Sequence, residues 1–278
     1  MSGPFRKIVL VVVDGLRPDA ITAEEMPALK AMIANGWHAP SARTVRPSVT
    51  VAALTSLGCG VAPATHGLTE GRFRELPRLS MLNPLPAELR RLGVETSVVT
   101  PELPGAARWL AGALLRLAGV TRLIATSSAP AKLVEAGMER VAGNRKRELV
   151  VIYLNDADIA GHAWGWMSGA YLQAVRTIDR ALARILPITT DQEALVVLTA
   201  DHGGGGVIGN DHDHPHPVNE TIPIAMLGGR VAPGVVASEN VRLLDIPPTV
   251  LHGFGGTAPA GYEGRVIHEA FATELVWA

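Results

Sequence analysis

Residues 8–15 read IVLVVVDG: six apolar residues, mostly β-branched, with no polar interruption, then Asp14 and Gly15. A strand solvated on one face alternates apolar and polar residues. An unbroken run of this length instead predicts a strand covered on both faces, as in a parallel sheet sandwiched between helices. The aspartate at its end is where such a strand leaves the sheet.

The same signature recurs along the chain. Buried strands are predicted at 95–99, 149–153, 194–199 and 222–227. Helical patterns fall between them, near 26–34, 86–92, 105–117, 130–141 and 170–185. Alternation of this kind predicts an α/β fold with a mostly parallel central sheet and helices on both faces. Repeats, low-complexity tracts and linker-like stretches are absent from the sequence, so residues 1–278 are expected to form one domain. Residues 76–143 carry no chemical motif and read either as core layers or as a small lid.

Composition narrows the function. Twenty-five basic residues stand against 26 acidic ones, which gives no electrostatic footprint for a nucleic-acid polymer or an anionic membrane. Cys59 is the single cysteine, so a disulfide within the chain and a thiolate metal cluster are both excluded, and metal ligands must come from Asp, Glu and His. The N-terminal apolar run is too short to span a membrane and ends at an acid, so a cytoplasmic protein is expected.

In open α/β sheets, ligands gather beyond the carboxyl ends of the strands. Three polar clusters occupy such places. Asp14 follows the first strand, Asp158 and His162 lie just past the strand ending near Tyr153, and Asp201 and His202 follow ALVVLTA and precede Gly203 to Gly206. Each has a plainer explanation, as a turn, a solvated helical pair or a loop. Together, Asp and His converging from several strand ends are what a hydrolytic metal site requires. A fourth element is Thr50, in ARTVRPSVTVAALTSLG (42–58). Pro47 and Ser48 read as a helix start, which places Thr50 in the first turn among free N–H groups that favour negative charge; the plainer reading has Ser48 cap the helix and leaves Thr50 merely an early helical residue.

With these motifs the chain resembles the alkaline phosphatase superfamily, and within it the type I phosphodiesterase/nucleotide pyrophosphatase group. The anchors are VVVDGLRPD (11–19), PSVTVAALTSLGCGVAPATHG (47–67), YLNDADIAGHAWG (153–165), LTADHGG (198–204) and LLDIPPTVLHGFG (243–255). The second departs from the group's pattern by reading Val51-Ala52-Ala53 where a Phe-Pro-Asn stands. The resemblance implies two divalent metal ions, Zn²⁺ first and Mn²⁺ second. One would be held by Asp14, Thr50, Asp201 and His202, the other by Asp158, His162 and a later histidine. Spacing back from Thr221-Ile222-Pro223 favours His212 for that last place, with His214 next and His216 also available.

Thr50 is implied as the nucleophile, on a small-molecule phosphate ester. The group's phosphoryl-binding Asn is missing, since its place falls at Gly71, beside Glu70 and Arg72. Binding of the phosphoryl oxygen is then expected either to be left to the Thr50 backbone N–H and the metals or to be shared with Arg72 or Arg46. Sulfatases share the fold but need an oxidisable Cys or Ser within a Pro-x-Arg signature, which Thr50 lacks. A phosphodiesterase is therefore favoured, with a phosphomonoesterase or a carbon–phosphorus hydrolase next and a non-catalytic metal-binding homologue last. In His162-Ala163-Trp164-Gly165-Trp166, Trp164 is expected to pack, and Trp166 is open between packing and substrate contact.

Overall fold

The computed structural model describes residues 5–69, 82–143, 146–237 and 240–272. Eight strands form one sheet: β1 (Lys7–Val13), β2 (Trp37–Arg43), β3 (Glu95–Pro101), β4 (Arg122–Thr126), β5 (Glu148–Leu154), β6 (Ala194–Thr199), β7 (Thr221–Leu227) and β8 (Val235–Val236). Their order across the sheet is β4-β3-β5-β1-β6-β7-β2-β8. β1 is central, parallel to β5 on one side and β6 on the other, and every one of its residues is buried. β7 runs antiparallel to both β6 and β2, so the sheet is mostly parallel rather than wholly so.

The helices used below are α1 (Pro27–Ala34), α2 (Thr50–Cys59), α3 (Leu85–Arg91), α4 (Gly105–Leu117), α5 (Pro130–Gly143), α6 (Asp156–Trp164), α7 (Gly169–Leu182) and α8 (Ile246–Gly253). They cover both faces, and the register shows it. A Cβ on Gly137 of α5 would lie 2.4 Å from Ile152 Cδ1, while one on Gly253 of α8 would lie 3.0 Å from Ile8 Cδ1. Ile8 pairs with Leu149, so it shares a face with Leu149 and not with Ile152. Helices α1, α5 and α7 form one layer and α2, α3 and α8 the other.

Three strands lay outside the sequence reading, and β8, of two residues, is too short to leave a pattern. β2, WHAPSAR, carries Pro40 and breaks register between Ala39 and Ala42, which is how a proline is tolerated in a sheet. β4 is an edge strand of five residues, none fully buried, and so lacks the apolar run of the interior strands. The helix expected to run to Ile185 ends at Leu182 and continues as 3₁₀ turns, Ala183–Thr190.

Candidate metal centre

The carboxyl ends of β1, β5 and β6 lie side by side and bring the predicted residues together. Asp14 extends β1 by one residue, its N–H bonding to the Leu154 carbonyl at 2.8 Å. Gly15 then turns with φ +69°. A Cβ there would stand 3.0 Å from the Asp158 Cα, so a glycine lets α6 close against the end of β1. Asp158 and His162 lie one turn apart on α6, with Asp158 in its first turn. Asp201 and His202 leave β6 fully buried.

These side chains fall into two groups. Asp14, Asp201 and His202 form one, and Asp158, His162 and His212 the other. Within each, one potential ligand atom per residue lies within 4.8 Å of the rest. His202 Nε2 is 3.2 Å from Asp14 Oδ1 and 3.6 Å from Asp201 Oδ2. Asp158 Oδ1 is 3.5 Å from His162 Nε2 and 3.8 Å from His212 Nε2. The two groups adjoin, because the His202 and His212 rings stack at 3.8 Å between centroids. Thr50, the first residue of α2, places Oγ1 3.1 Å from His202 Nε2.

The donor set fits divalent cations on two observations. Asp14 Oδ1, Asp158 Oδ1 and Asp201 Oδ2 are buried and make no satisfactory hydrogen bond among the described residues, a costly arrangement unless a cation completes it. The three imidazoles are also held alike. His202 Nδ1 donates to Gly203 O at 2.8 Å, His162 Nδ1 to Asn210 O at 3.0 Å and His212 Nδ1 to Ser48 O at 2.9 Å. A carbonyl only accepts, so Nδ1 carries the hydrogen in each ring and Nε2 is the atom turned inward, the orientation a ligating histidine needs. His162 Nε2 and His212 Nε2 face each other at 3.1 Å, two lone pairs that a shared cation would reconcile.

The electrostatics carry the same mark. Burial opposes charge on His202, but Asp201 and Asp14 outweigh it and push the ring up to about 10. Burial, then Asp14, raises Asp201 well above the usual carboxylate range and Asp158 to about 6. Burial and the neighbouring His202 lower His212 to about 4. Without a metal, protons are drawn in to offset the converging carboxylates.

Other predicted residues lie elsewhere. His214 Nδ1 faces Asp211 at 3.2 Å, and His216 Nδ1 accepts from Val218 N, so His212 is the histidine of NDHDHPHP that joins the cluster. The Arg46 guanidinium is on Glu220, 2.6 Å away, and is three-quarters exposed. Arg72, with Glu70 and Gly71, lies outside the described residues. Ser48 is not a cap: its hydroxyl donates to His212 O at 3.0 Å and Val49 takes the capping place, because the Ser48 side chain is used to hold the His212 loop. Trp164, expected to pack, is 72% exposed. It is Trp166 that packs, donating Nε1–H to Gly15 O at 2.9 Å and standing edge-on to His162 and His212.

Several supporting residues escaped the sequence. The Tyr153 hydroxyl donates to Asp14 Oδ2, and Asn219 Nδ2 donates to His212 O and His214 O. The Thr44 hydroxyl donates to the Asp201 carbonyl. Tyr153 alone left a signal, as a hydroxyl closing an apolar strand.

Comparison with known proteins identifies the family and the fold. The family model described as type I phosphodiesterase/nucleotide pyrophosphatase matches residues 8–81, and that described as Metalloenzyme superfamily matches residues 118–258. A 2,3-bisphosphoglycerate-independent phosphoglycerate mutase of Rippkaea orientalis is 32% identical over 135 residues, which are 46% of this chain and 25% of that protein. The chain thus aligns with about a quarter of the length of this curated relative. Human ectonucleotide pyrophosphatase/phosphodiesterase 5 superposes with a TM-score of 0.75 at 14% identity, over 96% of this chain and 100% of the other. A phosphonate monoester hydrolase from Silicibacter pomeroyi superposes with a TM-score of 0.65 at 14% identity, over 94% and 75%. At these identities the superpositions establish the shared fold.

Proposed function

The chain belongs to the Metalloenzyme superfamily, within the alkaline phosphatase superfamily, and on that footing we propose that it is a phosphodiesterase of nucleotide-pyrophosphatase type with Thr50 as its nucleophile. The observation that carries this reading is the position of the Thr50 hydroxyl, at the N-terminus of α2, 3.1 Å from His202 Nε2 and beside the two clustered ligand sets.

Asp14, Thr50, Asp201 and His202 would hold one divalent ion, and Asp158, His162 and His212 the other. Two such ions supply Lewis-acid charge that lowers the pKa of a bound hydroxyl and screens phosphoryl oxygens. The donor set suits Zn²⁺, with Mn²⁺ second.

The rest is done by the protein. Thr50 releases its hydroxyl proton to solvent, and Oγ1 attacks phosphorus as the bond to the leaving oxygen breaks. That leaving group departs and takes up a proton from solvent, leaving a phosphothreonine that still carries the second ester group and whose phosphoryl group is released as a monoester in the next step. Water then attacks the phosphorus, the bond to Thr50 Oγ1 breaks, and the hydroxyl is regenerated. By helix geometry the N–H groups of Thr50, Val51 and Ala52 lack intrahelical carbonyls, and they are oriented to hold a phosphoryl oxygen through both steps. In the absence of the group's phosphoryl-binding Asn, this helix terminus carries more of that role, with Arg72 a further candidate.

Thr50→Ala is expected to lower turnover of bis(p-nitrophenyl) phosphate by orders of magnitude while about two metal ions per chain remain by elemental mass spectrometry. Wild-type turnover in that variant would sink the nucleophile assignment. The phosphoglycerate mutase relative favours a second reading, phosphomonoester chemistry at the same hydroxyl. Parallel assays of aryl phosphate monoester, diester, phosphonate ester and sulfate ester separate these readings.

A further inference from the structure

At the edge of the sheet remote from β8, α4 does not seal against the strand that follows it. None of its described residues is fully buried, and a cleft of about 460 Å³ opens between α4 and β4. Volumes of this order hold small organic ligands. Its walls carry three arginines: Arg108 and Arg116 from the helix, and Arg122 from the strand. Among the described residues, none of the three guanidiniums has a carboxylate or other hydrogen-bonding partner.

The sequence leaves them unpaired. From Leu103 to Val134 there is no Asp or Glu, although the whole chain is almost neutral. The helix face on the cleft is also bare. Gly105 and Gly112 both line it; a Cβ on Gly105 would meet nothing within 4 Å, and one on Gly112 only Leu123 Cδ2, at 3.8 Å. A glycine inside a helix costs about 1 kcal/mol relative to alanine. Here that residue keeps the cleft open. The indole of Trp109, 75% exposed, stands at the rim, with Leu115, Val120 and Leu123 deeper.

We propose that this cleft is a second ligand site, separate from the metal centre, for a small organic di- or triphosphate with an aromatic group. Three unpaired guanidiniums on facing walls match phosphate oxygens, which they bind as bidentate forks. The indole offers the aromatic moiety a stacking surface. The arginines line a concave cleft contributed by both a helix and a strand, an arrangement that suits a molecule entering between the walls rather than a lipid surface lying across them. β4 is two strands from β5, which leads into the helix bearing Asp158, so the site is not continuous with Thr50.

The test uses adenosine diphosphate and inorganic pyrophosphate as probes of the full chain, with affinity read locally, from hydrogen–deuterium exchange over residues 105–123 titrated with each probe, so that binding at the metal centre does not enter the reading. Adenosine diphosphate should protect those residues and bind more tightly than pyrophosphate. In Arg116→Ala/Arg122→Ala, that binding should weaken by about tenfold or more, with the protection lost. In Trp109→Ala, the advantage of the nucleotide over pyrophosphate should fall by about tenfold. Hydrolysis of bis(p-nitrophenyl) phosphate should be unchanged in both variants, which separates this site from the catalytic one. No protection at millimolar nucleotide, equal protection in the arginine variant, equal binding of the two probes, or protection by phosphatidylglycerol vesicles alone would each overturn the proposal.

Discussion

At the scale of single residues, the centre depends on close approaches that only glycine permits. A Cβ on Gly203 would stand 1.9 Å from the Val218 carbonyl oxygen, and one on Gly204 2.1 Å from Trp166 Cε2. Gly203→Ala must push apart the strand end that presents Asp201 and His202. It should cost about 1–3 kcal/mol of stability and lower the bound metal, read by thermal melting and elemental analysis. Cys59 gives a contrasting expectation. Burial pushes its thiol up to about 11, so almost no thiolate exists at pH 8. Native protein should therefore resist an aromatic disulfide reagent that reacts at once when denaturant is added. The acidic and imidazole residues were legible in the sequence because their chemistry is written in their identity. Trp164 and Trp166 were not, because two indoles two residues apart differ only in which way the end of α6 turns them.

At the scale of elements, interior strands announced themselves and marginal ones did not. β1 and β6 are buried at every position and read as apolar runs, whereas β2 is held by its pairing with β7 rather than by its own composition. Tertiary partners also replaced local ones at helix ends. The first turn of α1 has no cap of its own: Asp179 of α7 accepts from Ala28 N at 3.0 Å and Leu29 N at 2.8 Å. An acid placed there by another helix is invisible to a search for capping residues beside the helix start. Asp179→Ala removes both bonds and leaves two buried or half-buried donors unmatched. A loss of about 1–3 kcal/mol in denaturant unfolding is expected, with hydrolytic activity per folded molecule unchanged.

For the whole molecule, two cations would tie the ends of three strands to α2, so their removal should be felt globally. The direction with pH follows from His202. Without metal its folded value is raised from 6.5 to about 10, so its stabilising contribution is complete below 6.5 and is lost as pH rises toward 10. Chelator-treated protein should therefore lose melting temperature between pH 7 and 9, with a slope of up to about 1.4 kcal/mol per pH unit per proton. Metal-loaded protein, with that nitrogen ligated, should be nearly flat over the same interval; equal slopes would argue against His202 as a ligand. The central position of β1 has a consequence of a different kind. Its two neighbours begin at Glu148 and Ala194, so on the ribosome the most apolar segment emerges with both edges open and must wait for more than half of the chain. The nascent protein thus passes through a long aggregation-prone interval, and slowing translation or raising chaperone levels should improve the recovered yield.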